Sequence, residues 1–92
     1  MMVRSLQCVV TGKVQGVMFR SWVHDQARNL GVNGWIRNLA DGTVEVLAQG
    51  DEESINTLKR RLLAGPPLSR VDNVQCKWID YDKEHQGFQI RS

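Results

Sequence analysis

The sequence predicts an α+β fold: one antiparallel sheet with two helices packed on a single face. Three observations predict it. Two stretches carry apolar residues at helical spacing along one stripe only, so each helix buries one face. Short β-branched or alternating stretches surround them, in the order β-α-β-β-α-β with a short strand added at the end. The length, 92 residues, fits a single domain spanning 1–92.

The elements follow in order. Leu6 to Thr11 reads as the first strand, from its short length and β-branched content. A loop follows, Gly12-Lys13-Val14-Gln15-Gly16-Val17-Met18. Phe19, Trp22, Val23, Ala27 and Leu30 then share one helix face, with Ser21, His24, Asp25, Arg28 and Asn29 on the other. Gly31 is the natural stop. Val32 to Asn38 reads as a strand, Ala40-Asp41-Gly42 as a turn, and Thr43 to Gln49 as a strand with Val44, Val46 and Ala48 on one face, so the two strands form a hairpin.

Asp51 is suited to cap a second helix, with Glu52 and Glu53 in its first turn where the dipole favours acids. Ile55, Leu58, Leu62 and Leu63 form its apolar stripe, and Gly65-Pro66-Pro67 ends it. Val71 to Ile79 reads as a strand with Val74, Cys76 and Trp78 on one side, and Gly87 to Arg91 as the short final strand. This is the split βαβ, ferredoxin-like arrangement, an α/β sandwich with two helices on one face.

Composition narrows the function. Hydrophobic content of 41% and charged content of 24% mark an ordinary globular chain. A net charge of +2 is too slight to argue for nucleic acid, and the run Lys59-Arg60-Arg61 reads as a solvated helix face. The apolar stretch from Val3 to Val10 is short and interrupted, unlike a signal peptide, and no window has the length of a membrane span. Cys8 and Cys76 match no zinc or redox spacing. A soluble, cytoplasmic monomer is the expectation, with no nucleic-acid or membrane partner. The two cysteines are expected as buried thiols; their strands are neighbours in this topology, but a reducing compartment argues against a disulfide.

The first loop is the segment most suited to chemistry. It joins a strand to a helix N-terminus, and Gly12 and Gly16 permit tight turns. Successive N–H groups in such a loop, together with the helix N-terminus, form a concavity for an anion. Arg20 sits in the first helical turn, where the dipole disfavours a cation; bidentate pairing with a phosphate is one reason to place it there. A surface loop with an incidental arginine fits the bare pattern equally well. Asn38, at a strand end, offers a donor and an acceptor that can hold a water, though plain turn chemistry accounts for it more simply.

Gly12-Lys13-Val14-Gln15-Gly16-Val17-Met18-Phe19-Arg20 resembles the first signature of the acylphosphatase family, and Gly34-Trp35-Ile36-Arg37-Asn38 with Asp41-Gly42-Thr43-Val44-Glu45 resembles the second. Gly65-Pro66-Pro67, Arg70-Val71-Asp72 and Phe88-Gln89-Ile90-Arg91 are similar to bacterial members. The resemblance covers nearly the whole chain. It implies metal-free, cofactor-free hydrolysis of acyl phosphates to a carboxylate and phosphate. It also implies that Arg20 binds the phosphate, that the backbone of Gln15, Gly16, Val17, Met18 and Phe19 surrounds it, and that Asn38 positions the attacking water. Met18 fills a slot often occupied by a small residue, which bears on loop packing and access.

Other residues are set aside. His24 and His85 have no metal-ligand spacing and read as surface histidines. Trp22 and Trp78 read as packing residues, and Trp35 as a cover for the open side of the sheet. The competing reading is a non-enzymatic binding module for RNA or a small anion. RNA-recognition domains share this element order, but they need exposed aromatics on central strands, and Gln7, Val9, Thr11, Thr43, Glu45, Leu47 and Gln49 offer none.

Overall fold

The computed structural model describes residues 3–91. The elements are β1 (Arg4–Lys13), α1 (Phe19–Leu30), β2 (Asn33–Asn38), β3 (Val44–Gly50), α2 (Glu52–Ala64), β4 (Arg70–Ile79) and β5 (Phe88–Arg91). One five-stranded sheet has the order β4-β1-β3-β2-β5. Pairs β4–β1, β1–β3 and β3–β2 are antiparallel, as expected. The terminal strand is the exception: β5 runs parallel to β2, with Ile90 opposite Ile36.

Both helices bury the stripe their spacing dictates. Phe19, Val23 and Ala27 of α1 and Ile55, Leu58 and Leu62 of α2 are buried against Leu6, Cys8, Val10, Ile36, Val44 and Val46 of the sheet. Gly31 adopts the left-handed conformation (φ 70°) and closes α1. Asp51 caps α2 by accepting from the Ser54 amide at 2.9 Å, and that hydrogen bond holds the Asp51 carboxyl below its ordinary range. Leu63 corrects the sequence reading: it is exposed. Adjacent helical residues point about 100° apart, so Leu62 and Leu63 cannot both face the sheet.

The β2–β3 turn is closed by Asp41, whose Oδ1 accepts from the Thr43 hydroxyl at 2.6 Å and the Thr43 amide at 3.0 Å. These bonds hold the Asp41 carboxyl below its ordinary range. At the same end of the sheet, the register of β1 with β4 shifts between Thr11 and Gly12. Gly12 (φ +133°) presses against the Arg70 carbonyl, leaving no room for a side chain. Pairing with β4 resumes at Gly12 and Lys13 beyond the bulge, and the loop begins after them.

The sheet face away from the helices is covered in part, over β2 and β3. Trp35 is buried there beside Leu47, its partner in the ladder, with the guanidiniums of Arg37 and Arg91 at 5.2 and 5.0 Å from the ring. Gln49, also buried, donates to Ser5 Oγ at 3.1 Å and to the Lys83 carbonyl at 2.7 Å, and accepts from the His85 amide at 2.8 Å. These bonds tie the connection between β4 and β5 to the end of β3.

Two further readings need correction. Cys8 and Cys76 lie directly opposite one another in the β1–β4 ladder and are joined by a disulfide, so they are not free thiols. The compartment argument carries no information about register, which decides whether two sulfurs meet. Trp78 is not a core residue. It lies on an edge strand, partly exposed, with the Arg4 guanidinium 4.0 Å above its ring.

Candidate active site

The loop between β1 and α1 folds back over the end of the sheet. Val14 is buried in the core and anchors it. Gly16 turns the backbone with φ 71°, and Met18 is the one non-glycine with positive φ (60°) among the described residues. The left-handed conformation costs a non-glycine residue about 1 kcal/mol. Gln15 braces the loop from outside: its Nε2 donates to the carbonyls of Leu39 at 2.9 Å and Thr43 at 2.8 Å. The loop is thereby bolted to the β2–β3 turn, next to Asn38.

The two helices begin differently. α2 has an aspartate cap and two acids in its first turn, whereas α1 has no side-chain cap and no acid there. The leading N–H groups of α1 are therefore not satisfied by a capping side chain, and its partial positive charge is not neutralised locally.

A cavity of about 180 Å³ opens at this point. Val14, Gly16, Met18 and Phe19 form its loop side, Arg20 and Ser21 come from the first turn of α1, and Asn38 and Ile90 close it from β2 and β5. The structure thus brings Arg20 and Asn38 to one cavity together with Gly16, Met18 and Phe19. Gln15 and Val17 do not line it. Gln15 acts as the brace just described, and Val17 packs against the core and faces a separate groove.

Arg20 is held from an unexpected direction. Its Nη1 donates to the main-chain carbonyl of Arg91 at 3.0 Å, so β5 fixes the guanidinium. Asn38 Oδ1 is buried and accepts no hydrogen bond from any described residue. A buried acceptor without a donor is costly unless a ligand or water serves it.

Ser21 and Ile90 are wall residues that the sequence reading did not single out. Ser21 was placed only on the polar side of its helix. Ile90 carries no signal of its own, because its place depends on β5 returning beside β2.

Among the described residues no carboxylate or imidazole lines the cavity. His24 lies outside it, half-buried edge-on to Phe88. His85 lies in the β4–β5 connection, where burial and the nearby positive charges of Arg91 and Lys83 push its pKa below the ordinary value. Among the described residues no group of three His, Cys, Asp or Glu could hold a metal ion. The polar groups facing the cavity suit an oxyanion and a water.

A family model described as acylphosphatase matches residues 6–90. The chain belongs to the acylphosphatase family. An acylphosphatase of Pelotomaculum thermopropionicum is 56% identical over 82 residues, 89% of each chain. One of Nitrosococcus oceani is 44% identical over 90 residues, covering 98% of this chain and 100% of its own. The crystal structure of acylphosphatase from Bacillus subtilis matches with a TM-score of 0.93 at 32% identity, over 99% of this chain and 100% of that one. The ferredoxin-like arrangement expected from element order is therefore also the fold of an acylphosphatase of known structure. These relatives are named for the hydrolase and not for a binding module, which favours the first of the two functional readings.

Proposed function

We propose that this chain, a single domain over 1–92, hydrolyses the carboxyl–phosphate bond of acyl phosphates at the cavity between the first loop, α1 and Asn38. The observation that carries the reading is that Asn38, whose buried Oδ1 has no hydrogen-bond partner among the described residues, lines the same cavity as Arg20 and the first residues of the uncapped α1. An anion supplies what the helix end and the guanidinium lack. A water supplies what Asn38 lacks.

The chemistry follows from those groups. Arg20 has five N–H donors, and one serves Arg91, which leaves the rest for phosphoryl oxygens. Loop amides from Gln15 to Phe19 are assigned the remaining oxygens. Asn38 accepts a hydrogen bond from the attacking water and so aims the water's lone pair at phosphorus. The water oxygen bonds to phosphorus as the bond to the acyl oxygen breaks, roughly in line. The leaving group departs as a carboxylate, the anion of an acid with pKa near 4, and needs no general acid. A phosphoryl oxygen takes the water's proton, consistent with a cavity to which the described residues bring no carboxylate or imidazole base. Fixed dipoles and one guanidinium offset the phosphoryl charge, so the reaction is assigned no metal and no cofactor.

Among the described residues no helix is long and apolar enough to cross a membrane. A monomeric, cytoplasmic enzyme with no nucleic-acid partner completes the reading. In a reducing cytoplasm the Cys8–Cys76 bridge is opened at steady state and forms on exposure to oxidant.

The test is ultraviolet-monitored loss of benzoyl phosphate by the purified chain in excess EDTA. Turnover that is unchanged by the chelator is expected. No turnover, or turnover restored only by a divalent cation, overturns the proposal.

A further inference from the structure

Beside the cavity lies a second, more apolar depression of about 380 Å³, walled by Val17, Trp22, Pro66, Pro67 and Leu68. The two adjoin: Met18 and Ser21 line both. Asn38 lines only the first. Met18 and Leu68 expose 78% and 76% of their surface, which marks the groove as an apolar patch that the fold leaves uncovered.

Resting on the function proposed above, we infer that this groove is the subsite for the acyl group, and that it selects uncharged, apolar acyl chains. In-line displacement places the leaving group opposite the attacking water. With the water at Asn38, the departing carboxylate points away from β2, toward the end of the cavity formed by Met18 and Ser21. An acyl chain continuing in that direction enters the groove. Among the described residues its one charged wall residue is Asp25, an acid that repels a substrate carrying a second carboxylate at its far end. The loop after α2 therefore sets specificity without touching phosphorus.

The experiment compares kcat/KM for acetyl, butyryl, hexanoyl and succinyl phosphate in the wild type and in Leu68→Ser. Burying a methylene is worth about a fourfold gain in kcat/KM, so hexanoyl phosphate is expected to exceed acetyl phosphate by at least about tenfold. Succinyl phosphate is expected to gain nothing over acetyl phosphate. Leu68→Ser, an exposed position in a turn, is expected to lower the hexanoyl-to-acetyl ratio about fivefold and to leave acetyl phosphate within about twofold. A flat profile across chain length, succinyl phosphate matching hexanoyl, or an equal loss on all substrates in Leu68→Ser overturns the inference. A flat profile with brisk acetyl phosphate turnover sinks only the acyl subsite; absence of turnover on every substrate sinks the hydrolase reading itself.

Discussion

Arg20, in the first turn of α1, donates through Nη1 to the carbonyl oxygen of Arg91 in the last strand, at 3.0 Å. The two residues are 71 positions apart, and the bond lets the terminal strand set where the guanidinium points. A lysine keeps the charge but has one nitrogen to divide between that carbonyl and a phosphate, without the planar fork. Arg20→Lys is therefore expected to lose about 100-fold or more in kcat/KM for benzoyl phosphate, and Arg20→Gln more. Both should keep the wild-type circular dichroism spectrum. Inhibition by inorganic phosphate should weaken in step with activity. Arg20→Lys within fivefold of wild type would show that bidentate binding is not what the residue supplies.

Asn38 separates from Arg20 by what it leaves intact. Asn38→Ala removes the acceptor assigned to the attacking water and keeps the loop and Arg20. Turnover should fall about 100-fold or more, because positioning is lost. The inhibition constant for inorganic phosphate should stay within about twofold. Steady-state kinetics with phosphate as competitive inhibitor read both, and equal losses in the two would place Asn38 in phosphate binding instead.

Gln49 is remote from the cavity, at the opposite end of the β2–β3 hairpin from Asn38. Gln49→Ala leaves the His85 amide, the Lys83 carbonyl and the Ser5 hydroxyl without their partner. The expected loss is about 2 kcal/mol of stability, or roughly 10 °C in Tm. Urea denaturation measures it. Activity assayed well below Tm should stay within about twofold, since no cavity residue moves.

The Cys8–Cys76 bridge closes a loop with a sequence separation of 68. On a chain-entropy account, opening it costs about 4.4 kcal/mol. Reduction, or the pair Cys8→Ser with Cys76→Ser, should lower the urea midpoint and leave the m-value slope nearly unchanged or slightly raised. Intact-mass measurement without reductant should show two hydrogen atoms fewer than after reduction. Equal masses would mean that the thiols pack against each other unbonded.

Periodicity carried much of the fold. Phe19, Val23 and Ala27, like Ile55, Leu58 and Leu62, are spaced so that only one helix face can be buried, and the structure buries it. Asp41-Gly42 marked its turn for the same local reason. What stayed hidden depended on long-range register. The parallel return of β5, the carbonyl that fixes Arg20, Ile90 on the cavity wall and the meeting of two cysteines all follow from which strands lie side by side. Gln49 read as an outward strand residue, because alternation reports the face and not what crosses it. Of the residues given to the phosphate by resemblance, Gln15 turned out to carry a brace that no spacing argument contains.

The bare beginning of α1, set against the aspartate-capped beginning of α2, ties ligand occupancy to the melting of the whole molecule. An oxyanion seated there completes the helix as a side chain would, and it is lost when the chain unfolds. At a hundred times its dissociation constant, such an ion adds about 2.7 kcal/mol to the folded state. On the proposed site, product phosphate is expected to stabilise the fold as well as compete with substrate, and thermal shift in phosphate buffer is the measurement that reads it, even in variants too slow to assay.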